Sequence, residues 1–429
     1  MFRQTLFVLA LVLLTTAAIL AFLSQRYWFM LAWRLAGGLG RGSTRRDLRL
    51  AMRATLVVVA ATAATLATAG YLAGPRWPLS WWKFTFGAWL VGSTVAYLLV
   101  QLAAALQWLR TSARPQASSS FLQSVPSSIP QGEAASAEHI DHEEINQSRR
   151  YFFQTAGVLA GALPVVSAAY GFVGSRLNFH VREAWIPIAN LPEALDGLRI
   201  AQLSDIHAGA YMPVAQVRRA VDMANELNAD LVVLTGDLLT GPTDPLEQCV
   251  AELARLRAPL GVWGCNGNHE IYARAEAAAQ ALFAQSGMKL LRQENAEVRW
   301  RGGVMNLIGV DYQRQGRTGR RRGPMLAGVE ELIRPGSFNV LLSHNPNTFV
   351  RASQMGIDLT LAGHTHGGQV RVEILDHRWN PAEYFTPYVA GLYQKASSFI
   401  YVNRGLGTIG APVRLGVPPE ITLLTLRRA

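Results

Sequence analysis

The sequence predicts an α/β domain in its second half, preceded by an all-α transmembrane region of about four helices. Three observations carry this reading. Apolar runs of strand length in the second half each stop at an Asp, Asn or His; a stretch with helical periodicity separates the first two; and the first 175 residues hold four apolar runs of membrane length. Residues 198–204 read as a strand ending at Asp205, and 229–234 as a continuous apolar strand ending at Gly236-Asp237, with a helix over 214–227 between them. Residues 261–264 lead into Gly267-Asn268, 338–342 into Ser343-His344 and 359–362 into Gly363-His364. Strands that each end in a polar residue, with helices between them, bring those residues to one edge of an α/β core. The glycines beside them let the backbone turn sharply there.

The amino-terminal part is a different kind of polymer. Residues 5–22, 54–73 and 86–108 are uncharged or nearly so, and 152–173 is a fourth run, rich in Ala and Gly and broken by Pro164. Each is near the ~20 residues that cross a hydrocarbon core. The expected organisation is three transmembrane helices over 1–110, a disordered polar linker over 111–150, a fourth membrane segment over 151–174 and the α/β domain over 175–429. The linker is rich in Ser, Pro, Gln and Glu and poor in large apolar residues, so it cannot bury a core; its His139 and His142 read as part of a solvated stretch. Arginine placement supplies an orientation. The first loop carries Arg26, Arg34, Arg41, Arg45, Arg46, Arg49 and Arg53, the second only Arg76 and Lys83, and the segment before the fourth run Arg110, Arg114, Arg149 and Arg150. The positive-inside rule puts the first and third in the cytoplasm, which makes this an integral membrane protein whose α/β domain is extracytoplasmic. The segment Ser148-Arg149-Arg150-Tyr151-Phe152-Phe153-Gln154 resembles a twin-arginine export signal. Residues 151–174 are therefore either a fourth helix or a signal segment with a small-residue cleavage site at Val166-Ser167-Ala168, in which case the export machinery is a partner.

Half of the residues are apolar and 16% are charged, which agrees with this division. The formal net charge of +11 comes largely from arginine and is in part the topology signal just described. No interleaving of aromatic and basic residues of the kind that binds single strands is present, so nucleic acid is not an expected partner.

Five fragments in the second half carry chemistry: Asp205-Ile206-His207, Gly236-Asp237, Gly267-Asn268-His269-Glu270, Ser343-His344 and Gly363-His364-Thr365-His366. The chain has nine histidines, and five of them fall in these fragments. Carboxylate, imidazole and amide oxygen donors suit Mn, Fe or Zn. Two such ions roughly 3.5–4 Å apart would supply both a hydroxide and a clamp for phosphoryl oxygens. Neither Cys249 nor Cys265 has a zinc-type spacing; they read as two reduced buried thiols, with a disulfide as the alternative.

In order and type, these fragments resemble the calcineurin-like metallophosphoesterase superfamily, in its membrane-associated branch, over about residues 198–426. The resemblance implies a four-layer αββα metallophosphoesterase sandwich and two divalent metal ions. It implies Asp205, His207 and His366 as ligands of one metal, Asn268, His344 and His364 as ligands of the other, and Asp237 as the bridging carboxylate. It implies His269 as a catalytic, non-ligand histidine that steadies the transition state or protonates the leaving group. In the protein Ser/Thr phosphatase branch an Asp three residues past the bridging one orients that histidine. Here the position is Thr240, which argues against protein phosphatase activity and leaves the partner of His269 open, with the adjacent Glu270 as one candidate. Gly367-Gly368-Gln369, Asn403-Arg404 and Pro418-Pro419-Glu420 resemble further segments of the membrane-associated branch.

A basic cluster, Arg314, Arg317, Arg320, Arg321 and Arg322, follows the apolar run 304–310. It is read either as a solvated or membrane-surface loop or as a clamp in which Arg314, Arg320 and Arg321, with Arg404, hold a phosphate or anionic headgroup. The expected function is a membrane-anchored dimetal phosphoesterase that cleaves a phosphodiester or lipid-linked phosphate by attack of metal-bound hydroxide. Its partners would be membrane lipids and a lipid or cell-envelope substrate. The alternatives are a UDP-2,3-diacylglucosamine-type pyrophosphatase of lipid A metabolism and a non-catalytic metal-binding membrane scaffold or sensor.

Overall fold

The structure, a computed structural model, describes residues 15–16, 19–31, 90, 92–95, 97–98, 100–102, 105, 166–167, 170–313, 324–374 and 377–429. The chain divides into two compact units, Met1–Ala168 and Ala169–Ala429.

In the first unit the described residues are helical. Trp28 Nε1 donates to Ser93 O at 2.8 Å, and Gln25 Nε2 to Ser93 Oγ at 2.7 Å. The expected all-α transmembrane region of about four helices is corrected here: among the described residues no helix is long and apolar enough to cross a membrane. The longest described helical stretch, 19–31, has a rise of about 20 Å at 1.5 Å per residue, against the ~30 Å of a hydrocarbon core. The run 54–73, most of 152–173, the polar stretch 111–147 and the arginine pair Arg149-Arg150 lie outside the described residues.

The second unit is a sandwich of two six-stranded sheets. Its chain runs through β1 (His180–Ile188), β2 (Arg199–Leu203), α1 (Val214–Glu226), β3 (Leu231–Thr235), α2 (Leu246–Leu253), β4 (Val262–Cys265), α3 (Asn268–Ala273), α4 (Glu276–Gln285) and β5 (Lys289–Leu290). It continues through β6 (Glu294–Trp300), β7 (Gly303–Gly309), β8 (Phe338–Leu342), α5 (Phe349–Gln354), β9 (Leu359–Ala362), a short β10 (Val372–Ile374) and β11 (His377–Trp379) hairpin, β12 (Gly391–Lys395) and β13 (Ser398–Val402). The last strand, β14 (Glu420–Arg428), returns to the first sheet, whose order is β1-β14-β2-β3-β4-β5; the second is β12-β13-β9-β8-β7-β6. Strands β2 to β5 are parallel, as are β7, β8, β9 and β13.

Strand alternation builds the layers. In β2 and β3, Ile200, Leu231 and Val233 face the other sheet and pack with Met305, Leu307, Val340 and Leu361. Ala201, Leu203, Val232 and Leu234 face outward onto Val217, Val221, Val250 and Phe283 of the helices. Both faces being covered is why these strands read as continuous apolar runs. The outer face of the second sheet carries a thinner layer, in which Ile308 and Leu341 pack with Ala352, Ile357, Leu326 and Val329. The expected αββα sandwich is therefore present in this unit. The strands expected over 338–342 and 359–362 match β8 and β9 to the residue, and the helix expected over 214–227 is α1.

The helix layer makes a direct prediction. Phe283 is fully buried against β4, where a Cβ on Gly264 would sit 3.1 Å from its ring. Phe283→Ala should lower unfolding free energy by about 3–5 kcal/mol, read as a shifted urea midpoint with unchanged slope.

Candidate metal centre

The parallel strands of both sheets deliver the polar fragments at their carboxyl ends. Asp205 and His207 follow β2, Asp237 follows β3, Asn268 follows β4, His344 follows β8, and His364 and His366 follow β9. The backbone turns there are left-handed: φ is 49° at Asp205, 48° at His207, 55° at Asp237, 73° at His364 and 51° at His366. Such residues cost of order 1 kcal/mol or more each and persist where surroundings hold them. Gly236 has φ 87°, and a Cβ on it would lie 2.5 Å from Gly267 N and 2.9 Å from His344 Nδ1. A Cβ on Gly363 would collide with Ser204 Oγ and the Asp205 carboxylate. Both sites require glycine because two ligand loops touch through them.

Three groups of donors converge, each with its ligating atoms within 4.8 Å of one another: Asp205 with His207 and His366, Asp237 with His344 and His364, and His207 with Asp237 and His269. The first two are joined through Asp237, whose Oδ2 lies 3.0 Å from His344 Nε2 and 3.5 Å from His207 Nε2. His207 and His366 present Nε2 to each other at 3.2 Å, and His366 Nε2 lies 3.3 Å from Asp205 Oδ1. His364 Nδ1 lies 3.3 Å from His344 Nε2. Asn268 is buried, and its Oδ1 has no hydrogen-bond partner. A buried amide oxygen without a donor, beside imidazole nitrogens turned toward each other and toward carboxylates, suits a cation. The donors present therefore fit divalent metal ions.

Electrostatics agree. Burial drives His207 down to about 4 and His364 down to about 3, and holds His366 well below its usual value, so these rings are neutral, the form that ligates. Burial also pushes the Asp205 carboxyl up to about 6. At His344 burial lowers the pKa, but the charges of Asp237 and Asp205 outweigh it and raise it to about 10. Asp237 is the converse: burial raises its carboxyl, and His344 outweighs that and holds it well below the carboxylate range.

Around the donors sit groups the sequence reading did not assign. Glu270 is fully buried and points away from the rings. Its carboxylate accepts from the backbone N–H of Gly267 (2.7 Å), Asp237 (2.9 Å), Leu238 (2.8 Å) and Leu239 (3.4 Å). It ties the Asp237 loop to the Asn268 loop, and it is not the partner of His269. That partner is Thr240, whose carbonyl lies 2.7 Å from His269 Nδ1 and whose Oγ1 lies 3.0 Å from His207 Nδ1. An acidic residue three positions into a helix was the available signal for Glu270; nothing in sequence marks a backbone carbonyl. Tyr312 sets its ring 5.2 Å from that of His364.

Of the expected anion-binding arginines, Arg314, Arg320 and Arg321 lie outside the described residues. Arg404 pairs with Glu420, Nε to Oε2 at 3.4 Å. Glu420 also accepts from Tyr401 and Thr422, each at 2.7 Å, and Asn403 Nδ2 donates to Thr422 Oγ1 at 2.8 Å. Asn403, Arg404 and Glu420 therefore form a buried network that fastens β13 to β14. Cys249 and Cys265 are free and buried, with their thiols pushed up by burial.

The comparisons agree with this geometry. The family model for calcineurin-like phosphoesterase matches residues 198–368. The uncharacterized metallophosphoesterase YkuE of Bacillus subtilis is 31% identical over 287 residues, 65% of this chain and 98% of its own. Proteins named transmembrane protein with metallophosphoesterase domain are 33% identical in Danio rerio and 34% in Bos taurus, over 63% of this chain in each case. The alignments span 63% and 62% of those two relatives' lengths. The chain belongs to the calcineurin-like metallophosphoesterase family and is by class a phosphoric ester hydrolase with candidate metal-binding residues.

The Glu270 carboxylate leads to a prediction. Glu270→Ala strands buried N–H donors at about 1–3 kcal/mol each, so it should cost about 3 kcal/mol or more in chemical denaturation and lower bound metal per chain. Unchanged stability would show that the loops hold without it.

Proposed function

We propose that this chain hydrolyses a phosphodiester or lipid-linked phosphate at a dimetal centre, and that it does so in association with a membrane. The observation that carries the first part is the convergence of Asp205, His207 and His366, and of His344 and His364, on either side of Asp237. Asp205, His207 and His366 would hold one ion, Asn268, His344 and His364 the other, and Asp237 both. Two ions of the Mn, Fe or Zn class, when bound, supply an activated nucleophile and neutralise phosphoryl charge. His269 keeps Nδ1 toward Thr240 O, which leaves Nε2 as the ring atom that handles a proton at the leaving oxygen. Its backbone N–H donates to Asp237 Oδ1 at 2.9 Å, which sets the ring beside the bridging carboxylate. Support for the membrane part is the naming of the Danio rerio and Bos taurus relatives as transmembrane proteins.

The test is turnover by the full-length chain loaded with Mn, Fe or Zn, against a phosphomonoester, a phosphodiester and a nucleotide-sugar pyrophosphate. Phosphodiester cleavage, abolished by a chelator and in Asp237→Asn, is the expected result. Cleavage of the pyrophosphate alone would replace this reading with a diacylglucosamine-type pyrophosphatase, and binding of metal without any turnover would replace it with a scaffold. His269→Ala should lower kcat by about 10²–10⁴-fold with metal content unchanged.

A further inference from the structure

Arg414 is among the largest side chains buried without exposed surface in the described chain, and its guanidinium stands directly behind the metal centre. It donates to four backbone carbonyls. Nη2 reaches Arg404 O (2.9 Å), Gly405 O (2.9 Å) and Gly407 O (2.5 Å), Nε reaches Gly407 O (3.1 Å), and Nη1 reaches Val417 O (3.4 Å). Those carbonyls belong to a loop that is itself bonded to the Asp205 turn: Leu406 N donates to Ser204 O at 3.0 Å and Gly407 N to Asp205 O at 2.7 Å. Nη2 also lies 3.4 Å from His366 Nδ1.

That last contact sets His366 apart. His344 turns Nδ1 to Thr235 O (2.6 Å), His269 to Thr240 O, and His207 to Thr240 Oγ1. His366 turns its Nδ1 to a guanidinium. With Nε2 free to ligate, a neutral His366 carries its proton on Nδ1, so this approach of two donors is a packing contact and not a hydrogen bond. What Arg414 braces through hydrogen bonds is the loop bonded to the turn that presents Asp205. None of the hydrogen bonds of Arg414 goes to Asn268, His344 or His364.

We infer that Arg414 is a positioning residue for one half of the centre: through the Arg404, Gly405 and Gly407 carbonyls it holds the Asp205 turn in ligating geometry, so that the metal of Asp205, His207 and His366 depends on it far more than the metal of Asn268, His344 and His364. The inference rests on the dimetal reading proposed above. Its signal in sequence is a lone charge inside Pro412-Val413-Arg414-Leu415.

The experiment strips the full-length wild type, Arg414→Gln and Arg414→Lys of metal and titrates each with Mn(II). It reads bound metal per chain and the exchange-coupled electron paramagnetic resonance signal of a Mn pair, with circular dichroism to show that each variant is folded. Wild type should take two ions and develop the coupled signal. Arg414→Gln should keep one ion at wild-type affinity, bind the other about 10–100-fold more weakly, and lose the coupled signal. Arg414→Lys keeps the charge but not the planar fork, and should show the same selective weakening to a smaller degree; it carries the test if the Gln variant does not fold. Two ions at unchanged affinity in a folded variant would overturn the inference, and so would equal weakening of both, which is what a merely structural arginine produces. A wild type that fails to take two ions would overturn the dimetal reading and this inference together.

Discussion

Two turns at the ends of neighbouring parallel strands, the one after β3 and the one after β4, are joined by a single buried carboxylate. Glu270 accepts from Gly267, Asp237 and Leu238 within 2.9 Å, and these amides lie at the ends of strands whose ladder bonds have stopped. Without an acceptor they would be orphaned in a region closed to water, a situation folded proteins avoid. The geometry of the metal centre follows from this. Asp237 can sit at φ 55° and Gly236 can press against Gly267 because the Glu270 carboxylate fixes both segments from behind. The strain of these left-handed residues is thus carried in part by hydrogen bonds to Glu270, which is not among the candidate metal donors.

The charge pattern has the same logic. Two carboxylates, Asp205 and Asp237, face one volume lined by imidazoles. Burial lowers the pKa of His207, His364 and His366, whereas at His344 the charges of both carboxylates outweigh burial and raise it. On the far side, Arg414 places a permanent cation against Asp205 and His366, while Thr235 and Thr240 offer oxygens to His344, His207 and His269. The donors are alike but what stands behind them is not: the Arg404–Val417 loop backs the Asp205 turn, whereas the residues that follow or end β3 back His207, His269 and His344.

The legible parts of this protein were those in which one local rule sufficed. Strands β8 and β9 are buried on both faces, so their apolar runs coincide with their boundaries. Helix α1 buries one stripe, Val217, Ala220, Val221 and Ala224, at helical spacing, and its limits were within a residue of those expected. The antiparallel pairing of β14 with β2 and its parallel pairing with β1 were not legible, because they join segments more than 200 positions apart. Length and hydropathy alone picked out the amino-terminal runs. Neither quantity reports whether a run is one continuous helix, and among the described residues no helix is long and apolar enough to cross a membrane.

Residue type and order marked the candidate donors: which Asp, Asn and His close which strands, and in what order. Those are local properties, since a strand end and a glycine turn are encoded within a few residues. Tertiary structure alone decided what holds the donors. Thr240 orients His269 through its carbonyl, a group every residue has; Glu270 turns inward to amides at the ends of two strands; Arg404 pairs with Glu420, and Arg414 braces the loop behind the Asp205 turn. Most of these contacts join residues of different loops, through hydrogen bonds whose direction depends on where neighbouring strands end and how the two sheets stack. No spacing rule within one segment contains that information.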